Sequence, residues 1–350
     1  MKFNNFDRIV NTVNHREVDR VPLVDLVDFK IQSEFLNKEV NDENLENQVE
    51  FWKNAGFDYI PISLGLLNPG KVTDKSFNYE ILGTIDKNGL DNIGDIKQLN
   101  IINSLKDLNK IDWNMASNID YSKFEEVRKY LPNKMKIVAT TGKIFTLPWM
   151  LMGFTKFCES LYLDPELIVE VVNRISEIQL KAIKNVAKMD HVGAIWIVDD
   201  IAFGTNLMVS KDHLKKYFFP IYKQIAEICK QNNILTFFHS DGKIEPIIND
   251  LIEIGIDAIH PIDPNALDIK EIKEKYGKKI AIFGNVDVDL LARGSIEDVK
   301  ERVKYLLKNI APSGGYCLGS GNSIPPWAKF DNFKAMVDTC LKYGSYPINL

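Results

Sequence analysis

Short apolar runs and amphipathic stretches follow one another along the chain in a repeating order. The clearest example begins at Ile234 and ends abruptly at the polar residues His239 and Asp241. Isoleucine and leucine residues at helical spacing come next, up to Gly255. This pattern predicts a strand buried on both faces, then a polar corner, then a helix with one buried side.

The same order recurs, and it predicts eight strands. They are residues 21–27, 57–63, 136–142, 192–198, 234–239, 256–260, 279–283 and 315–319. Strands that alternate with helices imply parallel pairing through right-handed crossovers. Eight such units in 350 residues favour an α/β fold of the (β/α)8 TIM-barrel type. A doubly wound sheet is the alternative, but no glycine-rich phosphate turn follows the first predicted strand.

Helices are predicted between the strands, and one long polar stretch interrupts the rhythm. The helices are residues 4–16, 42–55, 121–131, 147–162, 165–189, 210–230 and 331–343. A further helix begins at the capping-box residues Ser295 and Asp298. Residues 65–135 are predicted to form an insertion after the second strand, with β-like pieces near residues 78–82, over the barrel mouth. Residues 1–350 are otherwise expected to be a single domain.

Composition narrows the class of protein. The net charge of −5 argues against nucleic-acid binding. No apolar run approaches the length of about 18 residues that a transmembrane helix needs, and the start does not resemble a signal peptide. The four cysteines lie far apart and form no Cys-x-x-Cys pair, which is typical of reduced thiols. We therefore expect a cytoplasmic protein without a membrane segment; the sequence does not specify its oligomeric state.

Polar side chains mark the carboxyl end of every predicted strand. They are Asp25, Asp28, Ser63, Thr141, Asp199, Asp200, His239, Asp241, His260, Asp263, Asn285, Asp287, Ser320 and Asn322. In barrel enzymes the active site lies at these ends, so we expect the side chains to converge on one rim. Each residue alone also suits a helix cap or a turn.

Three kinds of chemistry fit such a rim. His239, Asp241 and one of Asp199 or Asp200 are suited to bind a divalent metal ion through nitrogen and oxygen. His239 with a carboxylate partner is suited to acid–base catalysis without a metal. The rim also suits the binding of a polar small molecule without chemistry. Strand alternation predicts only that Asp199 and Asp200 point in different directions.

Several segments resemble the uroporphyrinogen decarboxylase superfamily along nearly the whole chain. They are Arg20-Val21-Pro22, residues 141–149, residues 162–165, residues 239–242, residues 283–287 and residues 344–347. The resemblance implies a (β/α)8 barrel, in agreement with the periodicity.

The sequence departs from two branches of that superfamily. True decarboxylases carry an arginine-rich segment after the first strand and an aspartate after the second, whereas residues 25–30 contain no arginine and Ser63 ends the second strand. Thiol-activating methyltransferases carry zinc-binding cysteines after strands five and eight. Here Asp241 and Ser320 stand in those places.

The resemblance therefore implies the corrinoid-dependent, methyltransferase-like branch. Its expected reaction moves a methyl group from a small O- or N-methylated donor to a corrinoid (cobalamin-type) carried by a partner protein, as O-demethylases of anaerobic metabolism do. His239, Asp241 and Asp200 are the predicted catalytic residues, and His239 and Asp241 the predicted ligands of zinc or another divalent ion. The predicted substrate-binding residues are Asp28, Ser63, Trp149, Asp199, Phe203, His260, Asn285 and Ser320.

Two other functions stay open. A decarboxylase of a small organic acid would need a cation for the carboxylate, and Lys30, Lys143 and Arg293 are the candidates. A non-catalytic small-molecule binder on the same fold would show stabilisation by a ligand without turnover.

Overall fold

The computed structural model describes residues 4–64, 100–111, 113 and 119–350. Within them, seven parallel strands follow one another in chain order and form one curled sheet. The strands are β1 (Tyr59–Ser63), β2 (Lys136–Gly142), β3 (Val192–Val198), β4 (Leu235–His239), β5 (Ala258–His260), β6 (Ala281–Phe283) and β7 (Tyr316–Cys317). The β-like pieces predicted near residues 78–82 lie outside the described residues.

Side chains of alternate residues fill the inside of the curled sheet. Trp196 of β3 contacts Phe237 of β4, with ring centroids 6.1 Å apart, and Phe237 lies 5.1 Å from Phe283 of β6. Phe238, the next residue of β4, faces the other way and meets Tyr222 of an outer helix at 5.2 Å. Because side chains alternate along a strand, residues in step with Trp196 and Phe237 point inward.

Helices pack outside the sheet, as the amphipathic pattern predicts. They are α1 (Asp7–Val13), α2 (Phe29–Leu36), α3 (Leu45–Asn54), α4 (Leu105–Leu108), α5 (Ser122–Arg128), α6 (Thr146–Met152), α7 (Phe154–Leu163), α8 (Pro165–Val186), α9 (Lys211–His213), α10 (Phe219–Gln231), α11 (Ile248–Ile254), α12 (Ile269–Tyr276), α13 (Val288–Arg293), α14 (Ile296–Asn309) and α15 (Phe330–Tyr343). In the part of the chain that the structure describes, none of them has both the length and the apolar character needed to cross a bilayer.

Local sequence signals explain where helices begin. Asp164 accepts a hydrogen bond from the backbone N–H of Leu167 at 3.3 Å, and Pro165 occupies the first position of α8. Ser295 and Asp298 form the predicted capping box of α14. These starts are confirmed.

Two predicted helices are interrupted for identifiable reasons. Residues 147–162 form two helices because Gly153 adopts a positive φ of 82° between them. The helix predicted at residues 210–230 contains a wider π-turn at Leu214–Phe218. That turn lies just ahead of Pro220, which has no backbone N–H to donate.

The predicted (β/α)8 TIM-barrel fold is confirmed, but its first strand is irregular. Residues 21–27 form only two isolated parallel bridges, Leu23 to Leu318 and Val27 to Ile324, beside the chain that leaves β7. Pro22 has no N–H, and the backbone N–H of Asp25 donates to the hydroxyl of Tyr59 on β1 at 2.8 Å. The seam, where residues 21–27 lie between β1 and β7, therefore combines a few backbone hydrogen bonds to Leu318 and Ile324 with side-chain hydrogen bonds.

The carboxylate of Asp25 closes the other half of the seam. It accepts hydrogen bonds from the backbone N–H of Ser320 at 2.7 Å and from the Ser320 hydroxyl at 3.0 Å. The Tyr59 hydroxyl in turn donates to the carbonyl oxygen of Asp25 at 2.5 Å. Asp25 thus connects both edges of the sheet. Its complete burial raises the pKa of its carboxyl to about 7, against the opposing effect of the Ser320 and Leu26 hydrogen bonds.

Replacing Asp25 with asparagine should change how stability depends on pH. Between about pH 4 and pH 7 the folded protein holds a proton on Asp25 that the unfolded chain has lost, so the free energy of unfolding falls as pH rises. Asp25→Asn cannot titrate. Its free energy of unfolding relative to wild type should therefore increase by about 1–3 kcal/mol from pH 5 to pH 8. Urea denaturation at both pH values measures this, and parallel profiles would contradict it.

Candidate functional site

Three side chains meet on the inner rim, at the carboxyl ends of β3 and β4. One ligand atom from each of Asp200, His239 and Asp241 lies within 4.8 Å of the others. The Nε2 atom of His239 is 3.8 Å from Oδ1 of Asp200 and 3.7 Å from Oδ1 of Asp241. All three residues are in step with the inward-facing Trp196 and Phe237, so strand alternation places them together. The predicted catalytic residues are thus adjacent; their catalytic role stays a prediction.

A second histidine stands behind this group, which we call the rim cluster. Nδ1 of His239 lies 2.8 Å from Nδ1 of His260, and the two residues are register partners on β4 and β5. His260 has no exposed surface. Its predicted contact with a substrate stays a prediction, and this burial argues against it.

The carboxylate of Asp241 is held at one oxygen and left open at the other. The side-chain amide of Asn322 donates to Oδ2 at 2.5 Å. Oδ1 is buried and has no hydrogen-bond partner among the residues that the structure describes. The backbone N–H of Asp241 donates to Oδ1 of Asp200 at 3.0 Å, which ties the two corners together. An oriented, unpartnered carboxylate oxygen beside an imidazole nitrogen is an available donor for a cation.

Burial shapes the charges of the rim cluster. It raises the pKa of Asp241 well above its usual value, and the carboxylates of Asp200 and Asp263 raise it further. It also lowers the pKa of His239, against the opposing effect of Asp200. Burial therefore disfavours the charged forms of both Asp241 and His239. A bound cation would reverse this balance and favour the charged carboxylate.

The donor set fits a divalent ion. Ligands at about 2.0–2.2 Å from one ion lie about 3–4 Å apart, as the donors around His239 do. One nitrogen and two carboxylates leave positions open for other ligands. No cysteine belongs to the cluster. The four cysteines are free, and three of them, Cys229, Cys317 and Cys340, are buried elsewhere.

Asp199, one residue before Asp200, faces the opposite way. Its carboxylate accepts hydrogen bonds from the backbone N–H groups of Phe145 and Thr146 at 2.7 and 2.9 Å. The hydroxyls of Thr146 and Tyr222 donate to it at 2.7 Å each. Burial raises its pKa to about 6. Asp199 thus anchors the start of α6 and ties it to α10, and its predicted contact with a substrate stays a prediction that this burial disfavours.

An aromatic hairpin lies beside the rim cluster. Residues 201–208 fold back on themselves through an Ala202 to Leu207 bridge, and Phe203 at the tip is 43% exposed. Its ring contacts Phe154 at 6.4 Å, and Phe154 contacts the buried Trp149 at 5.8 Å. The hairpin sits directly on the β4 corner.

Gly242 permits this close packing of the hairpin on the corner. Its φ is +82°, and a Cβ atom there would lie 2.4 Å from the carbonyl oxygen of Phe203. The backbone N–H of Lys243 donates to the same oxygen at 2.8 Å. Phe203 is thereby held next to Asp241, which agrees with its predicted place near the substrate; the contact itself stays a prediction.

Four other predicted substrate residues lie in different surroundings. Asp28 caps α2, a helix that the hydrophobic pattern does not predict, by accepting from Lys30 N–H at 2.8 Å. The amide of Asn285 donates to the carbonyl oxygen of Ile262 at 2.6 Å. Ser320 bonds Asp25, and Ser63 is exposed at the end of β1. Their binding roles stay predictions, and the contacts of the first three are structural.

Two residues for which the sequence predicts no individual role shape the rim cluster. Asn322 orients Asp241, and Oδ2 of Asp263 accepts from the N–H of Gly242 at 3.2 Å. Both stand at strand ends, which is the one signal that the sequence offers for them. Neither belongs to a recognisable short motif.

The fold and the rim cluster define a TIM barrel whose polar groups gather at the carboxyl ends of its strands. A family model described as uroporphyrinogen decarboxylase (URO-D) matches residues 31–343. The chain therefore belongs to the uroporphyrinogen decarboxylase family, as its motifs indicate.

Individual relatives are distant. The chain is 25% identical to a uroporphyrinogen decarboxylase of Ruthia magnifica subsp. Calyptogena magnifica over 261 residues, which cover 70% of this chain and 71% of that protein. It is 23% identical to the uroporphyrinogen decarboxylase of Actinobacillus succinogenes over 230 residues, 62% of each protein. Among solved structures it resembles a methyltransferase from Methanosarcina mazei with a TM-score of 0.72, at 17% identity over 98% of this chain and 99% of that one. At that identity the likeness shows the fold alone.

Replacing Asp199 or Asp200 singly with asparagine should show that the two neighbouring aspartates contribute differently to stability. Asp199→Asn puts an N–H donor among four donors and should lower the free energy of unfolding by about 2–3 kcal/mol. Asp200, whose side chain is 33% exposed, should lose less than about 1 kcal/mol on the same change. Urea denaturation of the two variants at pH 7 measures both values, and equal losses would contradict the assignment.

Proposed function

We propose that this protein is a methyltransferase that moves a methyl group from a small O- or N-methylated donor to a corrinoid carried by a separate protein. A divalent ion held by Asp200, His239 and Asp241 would assist the reaction. The observation that carries the proposal is the rim cluster, a set of nitrogen and oxygen donors on the inner face of a barrel of this family. The likeness in fold to a methyltransferase supports it.

The chemistry demands help for the leaving atom. The methyl group moves to the acceptor, whose electron pair forms the new bond, while the electron pair of the broken C–O or C–N bond stays on the donor. The oxygen or nitrogen left behind is a poor leaving group unless a proton or a Lewis acid stabilises its new charge. A divalent ion, when bound at the rim cluster, supplies that Lewis acid.

The chain's own residues would hold the ion, orient its ligands and bind the donor. His239 directs Nε2 toward the two carboxylates because its other ring nitrogen is bonded to His260. Asn322 turns Asp241 so that Oδ1 faces His239. The rings of Phe203, Phe154 and Trp149 offer an apolar wall beside the β4 corner for the carbon part of a donor. Polar donors in a partly buried site and an adjacent apolar wall suit a small methylated compound.

Decarboxylation of a small acid is the second candidate, because both curated relatives are uroporphyrinogen decarboxylases. The contacts of two of the three proposed cations do not favour it. Lys30 donates to the carbonyl oxygen of Pro326, and Arg293 pairs with Asp289 at 2.5 Å with its side chain 78% exposed. The rim cluster brings two carboxylates to the inner rim, and they would repel a substrate carboxylate.

Metal content tests the cluster first. Protein exposed to Zn²⁺, Mn²⁺ or Co²⁺ and then desalted should retain about one ion per chain, since His239 and two carboxylates offer three ligands. His239→Ala and Asp241→Ala should each lose it. Elemental analysis gives the ratio, with His191→Leu as a buried histidine control at the opposite end of β3. Metal retained by both site variants would contradict the assignment.

Methyl transfer tests the reaction itself. A panel of O- and N-methylated compounds is incubated with reduced free corrinoid, and the absorbance change on methylation is followed. His239→Ala should slow the reaction by at least about 10²-fold, the size of a lost acid–base or electrostatic contribution. The fold of the variant is checked by its unfolding midpoint. Full activity of that variant, or release of CO₂ from small acids by wild type without methyl transfer, would exclude the proposal.

A further inference from the structure

Lys273 of α12 lies at the end of the barrel opposite to the rim cluster. Its Nζ atom donates to the carbonyl oxygen of Gly314 at 2.5 Å, in the loop that leads into the amino end of β7. The side chain is half-buried, and its stem packs closely on Gly277, where a Cβ atom would lie 2.6 Å from Cδ of Lys273. The fold therefore holds this amine in one place, although a lysine stem is flexible in solvent.

The loop ahead of β7 presents the Gly314 carbonyl group to Lys273. Ser313, Gly314 and Gly315 have positive φ angles of 70°, 69° and 66°. The N–H of Gly315 donates to the carbonyl oxygen of Thr12 at 2.9 Å, and the N–H of Ser313 donates to Oε1 of Glu17 at 2.8 Å. The loop is thus fixed on α1 and the residues that follow it, and the carboxylate of Glu17 binds the loop backbone.

No carboxylate balances the ammonium charge of Lys273 in the part of the chain that the structure describes. Its Nζ atom has one partner there, the uncharged carbonyl group of Gly314. The titratable groups that interact with it are the thiol of Cys317 and the imidazole of His15, whose own pKa is lowered by burial and by the charge of Lys273. Burial lowers the pKa of Lys273 to about 8, against the opposing effect of Cys317.

These surroundings activate the amine of Lys273 as a nucleophile. Only the free amine attacks an electrophile, and a desolvated lysine without a counter-charge loses its proton most readily. Lys275, two residues further along the same helix, is the opposite case. Its Nζ atom pairs with Oε1 of Glu245 at 2.6 Å, and this hydrogen bond raises the pKa of Lys275. Two lysines of one helix thus differ in partner and in the fraction of free amine at neutral pH.

We propose that Lys273 is a site of covalent modification, at which its amine takes the acyl group of a small acyl phosphate. The lone pair of the nitrogen forms the new bond to the acyl carbon. The bond between that carbon and the phosphate oxygen breaks, and its electron pair leaves with the phosphate, which also takes the amine proton. The amide product keeps one N–H for the carbonyl oxygen of Gly314. A half-buried amine favours a small reagent, and no carboxylate loses a partner when the charge disappears.

Acetyl phosphate is the probe that tests this site. The full chain is treated at pH 7.5 until it carries less than one acetyl group on average, and it is then unfolded and cleaved before its aspartates. Lys273 and Lys275 both lie in the peptide of residues 268–286, whose fragment masses give the acetylation of each. Lys273 should react at least about 10-fold faster than Lys275, because about 10²-fold more free amine outweighs its lower basicity. Equal rates would overturn the proposal.

Three controls separate the effect of the fold from that of the local sequence. In urea the preference for Lys273 should disappear, because unfolding removes its burial. As the pH is raised, the acetylation rate of Lys273 should level off above about pH 8, while that of Lys275 keeps rising. Lys273→Arg should remove the fast site and leave the other lysines unchanged. A preference that persists in urea, parallel pH profiles, or a fast site that survives in Lys273→Arg would each contradict the assignment.

Discussion

Backbone pairing between β3, β4 and β5 determines which side chains reach the inner rim. Val198 is the register partner of His239, and His239 is the register partner of His260. With side chains alternating at every residue, a shift of one position would send His239 to the helices and bring Phe238 inside. The distances within the rim cluster therefore depend on a ladder of ordinary backbone hydrogen bonds.

The seam formed by residues 21–27 joins the two edges of the sheet. A curled parallel sheet needs its last and first strands joined, and Pro22 weakens a regular ladder there. Asp25 and Tyr59 join the edges through buried polar side chains, which is costly unless every group is bonded. This seam lies beside the β7 corner that supplies Asn322. The closure of the barrel and the orientation of Asp241 thus share one stretch of chain.

Periodicity predicts most of this architecture because each buried strand ends in a sharp change from apolar to polar residues. The periodicity locates the strands β1 to β7 and the corner that carries His239. It does not decide between Asp199 and Asp200, since β3 is apolar on both faces and offers no sign of which side is inside. It also suggests that His260 meets a substrate, because a strand-end position does not reveal burial behind another ring. Periodicity does not predict the irregular seam, because Asp25 forms hydrogen bonds with residues that are distant in the sequence.

The absence of sulfur from the rim cluster affects how the protein should tolerate oxidation. Thiolate ligands are lost when peroxide or alkylating agents convert them to oxidised or capped forms. Imidazole and carboxylate groups react with such reagents far more slowly than thiolates do. Burial raises the pKa of Cys229 and of Cys340 to about 12 each, so both stay protonated and unreactive. A cluster of this composition does not depend on a reducing environment to keep its donor groups intact, and thiol reagents should spare it.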